Sequence, residues 1–390
     1  MKKFALSSLS LALLGAAGAA HAQSSVTLYG VLDDSIQYVH NVTTKADPLT
    51  NNNLFGLAAG NLQGNRWGLK GTEDLGGGLK AVFQLENGFN PNNGALGQGG
   101  KMFGRQAFVG LQSDQFGTVT LGRQYDPVVD LVQAVTADNY WGSTFTTPGD
   151  VDNNDNSSRT NNAIKYTSQT YAGFQFEALY AFGGVAGSTG SGQTWSGAAT
   201  YSNGPISVAA GYIRMDNAST AAGRGATATT SAGWASGATS DATFDGAINT
   251  QFASAKSIGI ASIGAQYVVG PITAGLRYSN AQYKPDAFST FTSTERYNVG
   301  AGFVNYQLTP AALLGLGYTF THGSGYGPSA TYNQVSLGGD YNLSKRTDIY
   351  LVGAYQKASG TDVTASVADY GNTSNSTAQE IVSLGIRHKF

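Results

Sequence analysis

The chain has 390 residues, with 22 basic against 24 acidic side chains, four histidines and no cysteine. That slightly acidic balance speaks against a nucleic-acid partner, and the missing thiols exclude a disulfide scaffold and any thiolate metal site. Only 9 prolines stand beside 53 glycines, 21 tyrosines and 18 phenylalanines, a mixture that favours strands over helical bundles.

The N-terminus reads as an export signal. Lys2 and Lys3 precede an apolar run from Phe4 to Ala20, and Ala20-His21-Ala22 has the small-x-small form of a cleavage site. Residues 1–22 are therefore expected to be a removable signal peptide, and 23–390 the mature domain. The run is too short for a membrane anchor and ends without a charged stop. No later stretch approaches the ~18 consecutive apolar residues that a spanning helix needs.

Period-two alternation bounded by turn residues predicts sixteen strands: 26–40, 61–71, 78–90, 101–112, 117–125, 162–169, 173–182, 193–202, 205–214, 256–268, 271–283, 294–306, 311–322, 331–342, 347–357 and 379–390. The connectors differ by side. Those at 72–77, 113–116, 170–172, 203–204, 269–270, 307–310 and 342–346 are short, whereas 41–60, 126–161, 215–255 and 358–378 are longer and polar. Short turns at one end and long loops at the other describe an all-β, transmembrane antiparallel β-barrel. An even count puts both chain ends on the short-turn side.

The alternation also speaks to the solvent. Ile272, Ala274, Leu276 and Tyr278 share one face, and Thr273, Gly275, Arg277 and Ser279 the other. A soluble sandwich alternates too, so periodicity alone leaves both open. The export signal, the loop lengths and the strand-end aromatics (Tyr29, Tyr166, Tyr180, Tyr201, Tyr267, Tyr278, Tyr341 and Phe390) favour lipid, with those rings forming interfacial girdles. At about sixteen strands the lumen is wide enough to hold water.

In the last ten residues Val382, Leu384, Ile386, His388 and Phe390 form the lipid face, while Arg387 and Lys389 are expected at the periplasmic mouth. Asp34 falls on the apolar face of the first strand, which implies a subunit interface or a shifted register. Between Lys256 and Tyr267 the parity of Ile258 and Ile260 differs from that of Ile263 and Tyr267, as a bulge would cause. The run from Ala218 to Thr243 reads as a low-complexity surface loop.

Four stretches carry a resemblance: Val26-Thr-Leu-Tyr-Gly-Val-Leu-Asp33, Asn65-Arg-Trp-Gly-Leu-Lys-Gly-Thr-Glu-Asp-Leu75, Gly104-Arg-Gln-Ala-Phe-Val-Gly110 and Gly385-Ile-Arg-His-Lys-Phe390. Through them the mature chain resembles the general porins of Gram-negative β-proteobacteria. The resemblance implies a homotrimer of sixteen-stranded diffusion pores in the outer membrane, each with its third long loop folded into the lumen. It also implies that Phe390 is an assembly signal read by the outer-membrane assembly machinery. Outer-membrane lipid and lipopolysaccharide are the expected surroundings, and ions and small hydrophilic solutes the cargo.

A pore's chemistry lies in the charges at its narrowest point. Parity turns Arg66, Arg105 and Arg159 inward, and the resemblance places them as a basic cluster on one wall of the constriction. Glu86, also inward, matches a carboxylate beside that cluster. Arg123 shares parity with Val119 and Leu121 and stays outside it. The third loop, Asp126 to Asn161, begins with an apolar stretch, Pro127 to Val135, that suits a short helix on the inner wall. It carries Asp130, Asp138, Asp150, Asp152 and Asp155. The acidic Pro-Glu-Phe-Gly-Gly turn of enterobacterial relatives is replaced by Tyr140-Trp-Gly-Ser143, which leaves Asp138 as the opposing acid. With one family acid missing, mild anion preference is expected.

Other functions are expected to be absent. His40, His322 and His388 form no catalytic constellation, and neither metal-ligand spacing nor a cofactor motif occurs. A substrate-specific channel for sugars, phosphate or aromatic acids is the main alternative, followed by a barrel enzyme and an adhesin.

Overall fold

A computed structural model of the chain describes residues 25–44, 47–220, 224, 247–368 and 372–390. The expected signal peptide and most of the run from Ala218 to Thr243 lie outside the described residues. Strands dominate: β1 (Ser25–Val42), β2 (Asn52–Ala59), β3 (Arg66–Gly76), β4 (Leu79–Gly88), β5 (Gln106–Ser113), β6 (Gly117–Gln124), β7 (Thr160–Thr167), β8 (Phe174–Ala181) and β9 (Thr194–Asn203). They continue with β10 (Ile206–Asp216), β11 (Ser257–Val269), β12 (Ile272–Lys284), β13 (Glu295–Thr309), β14 (Ala312–Gly325), β15 (Gly327–Asn342), β16 (Thr347–Gly360) and β17 (Ala378–Lys389). All belong to one sheet.

The sheet closes into a barrel of sixteen staves, because β2 and β3 together form one stave. The lower half of β1 pairs with β3, from Ser25 with Thr72 to Val31 with Arg66. Its upper half pairs with β2, from Asp34 with Ala59 to Val42 with Asn52. On its other edge β1 pairs with β17, from Val31 with Lys389 to His40 with Glu380. Closure satisfies edge backbone groups that hydrocarbon would leave unpaired.

The divided stave corrects the expected second strand, 61–71. Much of the stretch expected as a loop, 41–60, is strand, and the true interruption is residues 60–65. Asn52, Asn53, Gly56 and Gly60 made its upper half look like turn sequence. At the interruption Asp33 substitutes for the missing ladder: its Oδ2 accepts the Leu62 and Gln63 amides at 2.9 and 2.7 Å. The Asn65 side chain accepts the Asp33 amide at 2.6 Å and donates to the Asp33 carbonyl at 2.8 Å. The released segment turns inward and buries Leu62 with Trp141 and Tyr350.

No bulge interrupts β11, whose register with β10 and β12 is continuous. Ile258 and Ile260 point into the barrel, where they are fully buried with Ile213, Met215, Tyr283 and Val299. The upper lumen is therefore apolar on one side, and loop residues such as Ile248 and Phe252 cover it. Alternation misleads there because the inner face meets protein rather than water.

The third loop crosses the lumen and lies on the inner wall of β10–β16. Its start is the expected short helix, built as a π-helical turn, Val128–Val132, followed by a 3₁₀ turn, Gln133–Val135. Trp141 is fully buried and stacks on Phe145 at 5.5 Å between centroids. Its indole covers Gly315 and Gly338, a cross-strand pair. A Cβ at either position would fall within 2.4 Å of the ring, so only glycine leaves room for this seat. The indole nitrogen donates to Asn305 Oδ1 at 2.7 Å. Asp152 takes Arg277 and Ser279 as partners, and Gln334 Nε2 donates to the Thr144 and Thr146 carbonyls, each at 3.2 Å.

Trp141 should therefore hold the loop to the wall. Trp141→Ala is expected to lower stability in urea unfolding of folded protein by about 3–5 kcal/mol and to raise single-channel conductance. Unchanged values of both would remove this anchor from the account.

Candidate functional site: a narrowed lumen with opposed charges

Because the third loop fills the β10–β16 side, the open space lies against the wall of β1–β7. A cavity of about 900 Å³ is left there. It is lined by five bases, Arg66, Lys101, Arg105, Arg159 and Lys389, and by three acids, Glu86, Asp138 and Asp155. Arg66, Arg105, Arg159, Glu86 and Asp138, each singled out in the sequence, thus meet around one space. Arg123 does not line it; its Nε donates to the Gly104 carbonyl at 2.7 Å.

On the wall Glu86 organises the bases. Arg105 Nε donates to its Oε1 at 2.8 Å, and Arg66 Nε stands 3.9 Å from its Oε2. The Tyr29 hydroxyl donates to Oε2 at 2.8 Å and the Tyr125 hydroxyl to Oε1 at 3.1 Å. Tyr125 in turn accepts from Arg105 at 2.6 Å. Its ring also lies 5.8 Å from the Arg105 guanidinium and 5.7 Å from that of Arg159, a cation–π spacing. The arginines are thereby held still and kept apart. One carboxylate balances one guanidinium, so the wall stays cationic.

One placement differs from expectation: Tyr29 is not a girdle residue but points inward to Glu86. Lys389 bonds Arg346 of a short turn through its backbone amide at 2.7 Å, and Val31 pairs with it on one edge and with Arg66 on the other, so it also lines the cavity. Arg387 is held at 3.1 Å by Asp348 and at 3.6 Å by Asp340. Sequence reasoning also missed Lys101 and Tyr125. For Tyr125 the available signal was an aromatic at a strand end directly before the long loop.

On the loop side Asp138 is buried, and Gln133 Nε2 bonds its Oδ2. Burial, followed by the charges of Asp155 and Asp150, holds Asp138 well above the usual carboxylate range. Asp150, buried next to Asp155 and Asp152, is pushed up to about 7. Asp155 lies within electrostatic reach of Arg159 and Arg105. Acids on the loop and bases on the wall set up a transverse field in the cavity. The histidines take no part in it: His40, His322 and His388 bond Asn53, Thr331 and Thr347 respectively.

A family model described as Gram-negative porin matches residues 7–361. The chain belongs to the Gram-negative porin family. It is 32% identical over its full length to an outer membrane porin protein of Bordetella pertussis, all of which is covered. It is 31% identical to outer membrane porin protein 32 of Delftia acidovorans, with both chains fully covered. Among solved structures, the anion-selective porin from Comamonas acidovorans superposes with a TM-score of 0.72 at 25% identity, covering 94% of this chain and all of that one. This porin is thus an outer-membrane channel for ions and small hydrophilic solutes, built as a closed sixteen-stranded barrel.

Its loop acids make the pore's charge depend on pH. As pH rises Asp138 loses its proton and adds negative charge to the cavity, so anion preference should fall from acid to alkaline solution. Asp138→Asn is expected to hold the preference near its acid value. Reversal potentials in a salt gradient measure both; equal pH dependence in the two proteins would rule Asp138 out.

Proposed function

We propose that this porin is a homotrimeric general diffusion channel with mild anion preference, whose constriction is formed by Arg66, Arg105 and Arg159 opposite Asp138, with Glu86 as the balancing acid. The single observation that carries the preference is the cavity lining, five bases against three acids. The anion-selective relative from Comamonas acidovorans supports the same sign. No catalytic step belongs to this reading.

Asp34 supports the trimer. It lies on the outward face of β1 between Leu32 and Ile36, which are 41% and 49% exposed. Its one cross-loop hydrogen bond is from Asn92, at 3.3 Å. A carboxylate facing hydrocarbon is costly, and a subunit contact at this face removes that cost. Lipopolysaccharide surrounds the outer half of the barrel in this reading, and the assembly machinery reads Phe390. The Phe390 backbone closes on Gly30 through hydrogen bonds of 3.0 and 3.1 Å.

Planar-bilayer recording tests pore and trimer together, and closure in three equal steps is the expected result. Replacing Arg66, Arg105 and Arg159 together with glutamine should turn the chloride-over-potassium preference into cation preference. Anion preference that survives the triple replacement would assign the selectivity to other residues. Deleting Phe390 should reduce the amount of barrel in outer membranes while leaving the conductance of assembled channels unchanged. Normal outer-membrane levels would exclude the assembly role.

A further inference from the structure

The outward face of β13 is unlike its neighbours. From the outer end downward it reads Arg296, Asn298, Gly300, Gly302, Val304 and Tyr306. The periplasmic end is fixed by the short turn into β14, so Arg296 stands at the outer surface. Gly300 pairs with Tyr278 and Phe320, and Gly302 with Leu276 and Tyr318. Two residues without side chains thus lie between two ridges of large apolar ones. A Cβ at Gly300 would meet nothing within 4 Å, so the gap is open there, whereas at Gly302 the Leu276 side chain comes within 3.0 Å and forms the floor of the slot. The slot belongs to a shallow, apolar concavity that runs across the outward face from Ile206 on β10 to Val335 on β15.

The upper end of this slot changes character abruptly. Asn298 Oδ1 accepts from the Tyr278 hydroxyl at 2.8 Å and from Asn280 Nδ2 at 2.9 Å. That leaves the Asn298 amide nitrogen as a donor at the rim. Above it stand Arg296, exposed, and Lys284, half-buried on β12; neither has a salt-bridge partner among the described residues. Gln282 and Ser324 pair with Arg296, and His322 pairs with Asn298. Above Tyr278 the outward positions of β12, β13 and β14 hold no carboxylate. An apolar slot capped by donors and two cations without a salt bridge is complementary to a lipid with one chain in the slot and an anionic head above it.

We infer that this slot binds lipopolysaccharide, with one acyl chain lying over Gly300 and a phosphate bound by Arg296 and Lys284. The inference rests on the outer-membrane reading and adds a site to it. The orientation selects the source: the cations stand at the outer end, where the phosphate-bearing lipid of the outer leaflet has its head. The periplasmic end of the same face finishes on Val304 and Tyr306 without a cation. An occupant held there would also seal the thin part of the wall, where β13 presents no side chain to the hydrocarbon.

The test uses the full-length porin extracted from outer membranes in mild detergent, with bound lipid counted by native mass spectrometry. Gly300→Trp fills the slot at a position where a side chain meets open space. Arg296→Gln with Lys284→Gln removes the cations. A basic side chain at an anionic lipid surface is worth a factor of about five in binding, so the double replacement should weaken rebinding of purified lipopolysaccharide by roughly twenty-fivefold. Gly300→Trp should abolish the tightly held molecule. All variants should keep three-step conductance, which shows that the barrels are intact. Phosphatase-treated lipopolysaccharide should bind as weakly to the native porin as untreated lipid does to the double variant. Retention unchanged in Gly300→Trp, or equal binding of treated lipid or of phosphatidylglycerol, would overturn the assignment. Absence of conductance in the native porin would instead count against the pore reading and leave the lipid measurement standing.

Discussion

In hydrocarbon every backbone amide and carbonyl needs a partner within the protein, and in this porin that demand falls hardest on β1. It has to serve β17 along one edge and two separate segments, β2 and β3, along the other. The gap between those segments would leave the Asp33 backbone of β1 without a partner. The Asn65 side chain takes the Asp33 amide, and the Asp33 carboxylate in turn holds the Leu62 amide of the interrupting segment. A buried aspartate near the seam is therefore a repair in the ladder as much as a lumen charge. Tyr350 adds a further hydrogen bond from the opposite side, to Asp33 Oδ1.

From that repair the shape of the pore follows. The inward turn at residues 60–65 carries Leu62 to Trp141, and the Ser143 amide donates to the Asn61 carbonyl at 3.2 Å. The third loop is thus gripped at its tip by the β1–β3 wall and along its length by the glycine seat on β14 and β15. Held at both sides, it leaves one offset opening, and the basic wall opposite becomes its lining. The rigidity of Arg105 and Arg159 has a local source in Glu86 and Tyr125. Fixed charges lose less orientational freedom when a solute passes, and so discriminate better than mobile ones.

Much of this was legible in the sequence, for physical reasons. Period-two alternation follows directly from strand geometry, so the strands from 117 onward were placed within a few residues of where they lie. The inward turn of Arg66 and Glu86 was legible for the same reason, whereas Arg105 reaches the cavity against parity: Gln106 and Phe108 turn inward beside Glu86 and Gln84, and Arg105 lies just before the strand begins. What failed was whatever depends on three-dimensional neighbours. Ile258 and Ile260 face inward because a loop covers them, and alternation cannot tell a covered lumen from lipid. Lys389 and Arg66 meet only because the first strand joins the last. Tyr29 belongs to Glu86 rather than to a girdle, since parity outranks its place near a strand end. Trp141 gave no signal of its own; its meaning lies in the paired glycines Gly315 and Gly338, almost two hundred residues away in sequence.

The whole-chain charge is negative, yet the cavity is positive, and the two do not conflict. A permeating ion responds to charges within roughly a screening length, about 8 Å at physiological salt, and more strongly where protein rather than water fills the space between. Many acids of this porin are placed where they cannot act at that range. Asp152 is bound by Arg277, Asp286 by Arg224 at 2.6 Å, and Asp348 by Arg387. Asp126 caps the start of the third loop through the Val128 amide at 2.9 Å. On the wall itself Glu86 is the carboxylate that bonds the bases, through Arg105. Selectivity is then set by which charges are already neutralised inside the fold, not by how many of each sign the sequence contains.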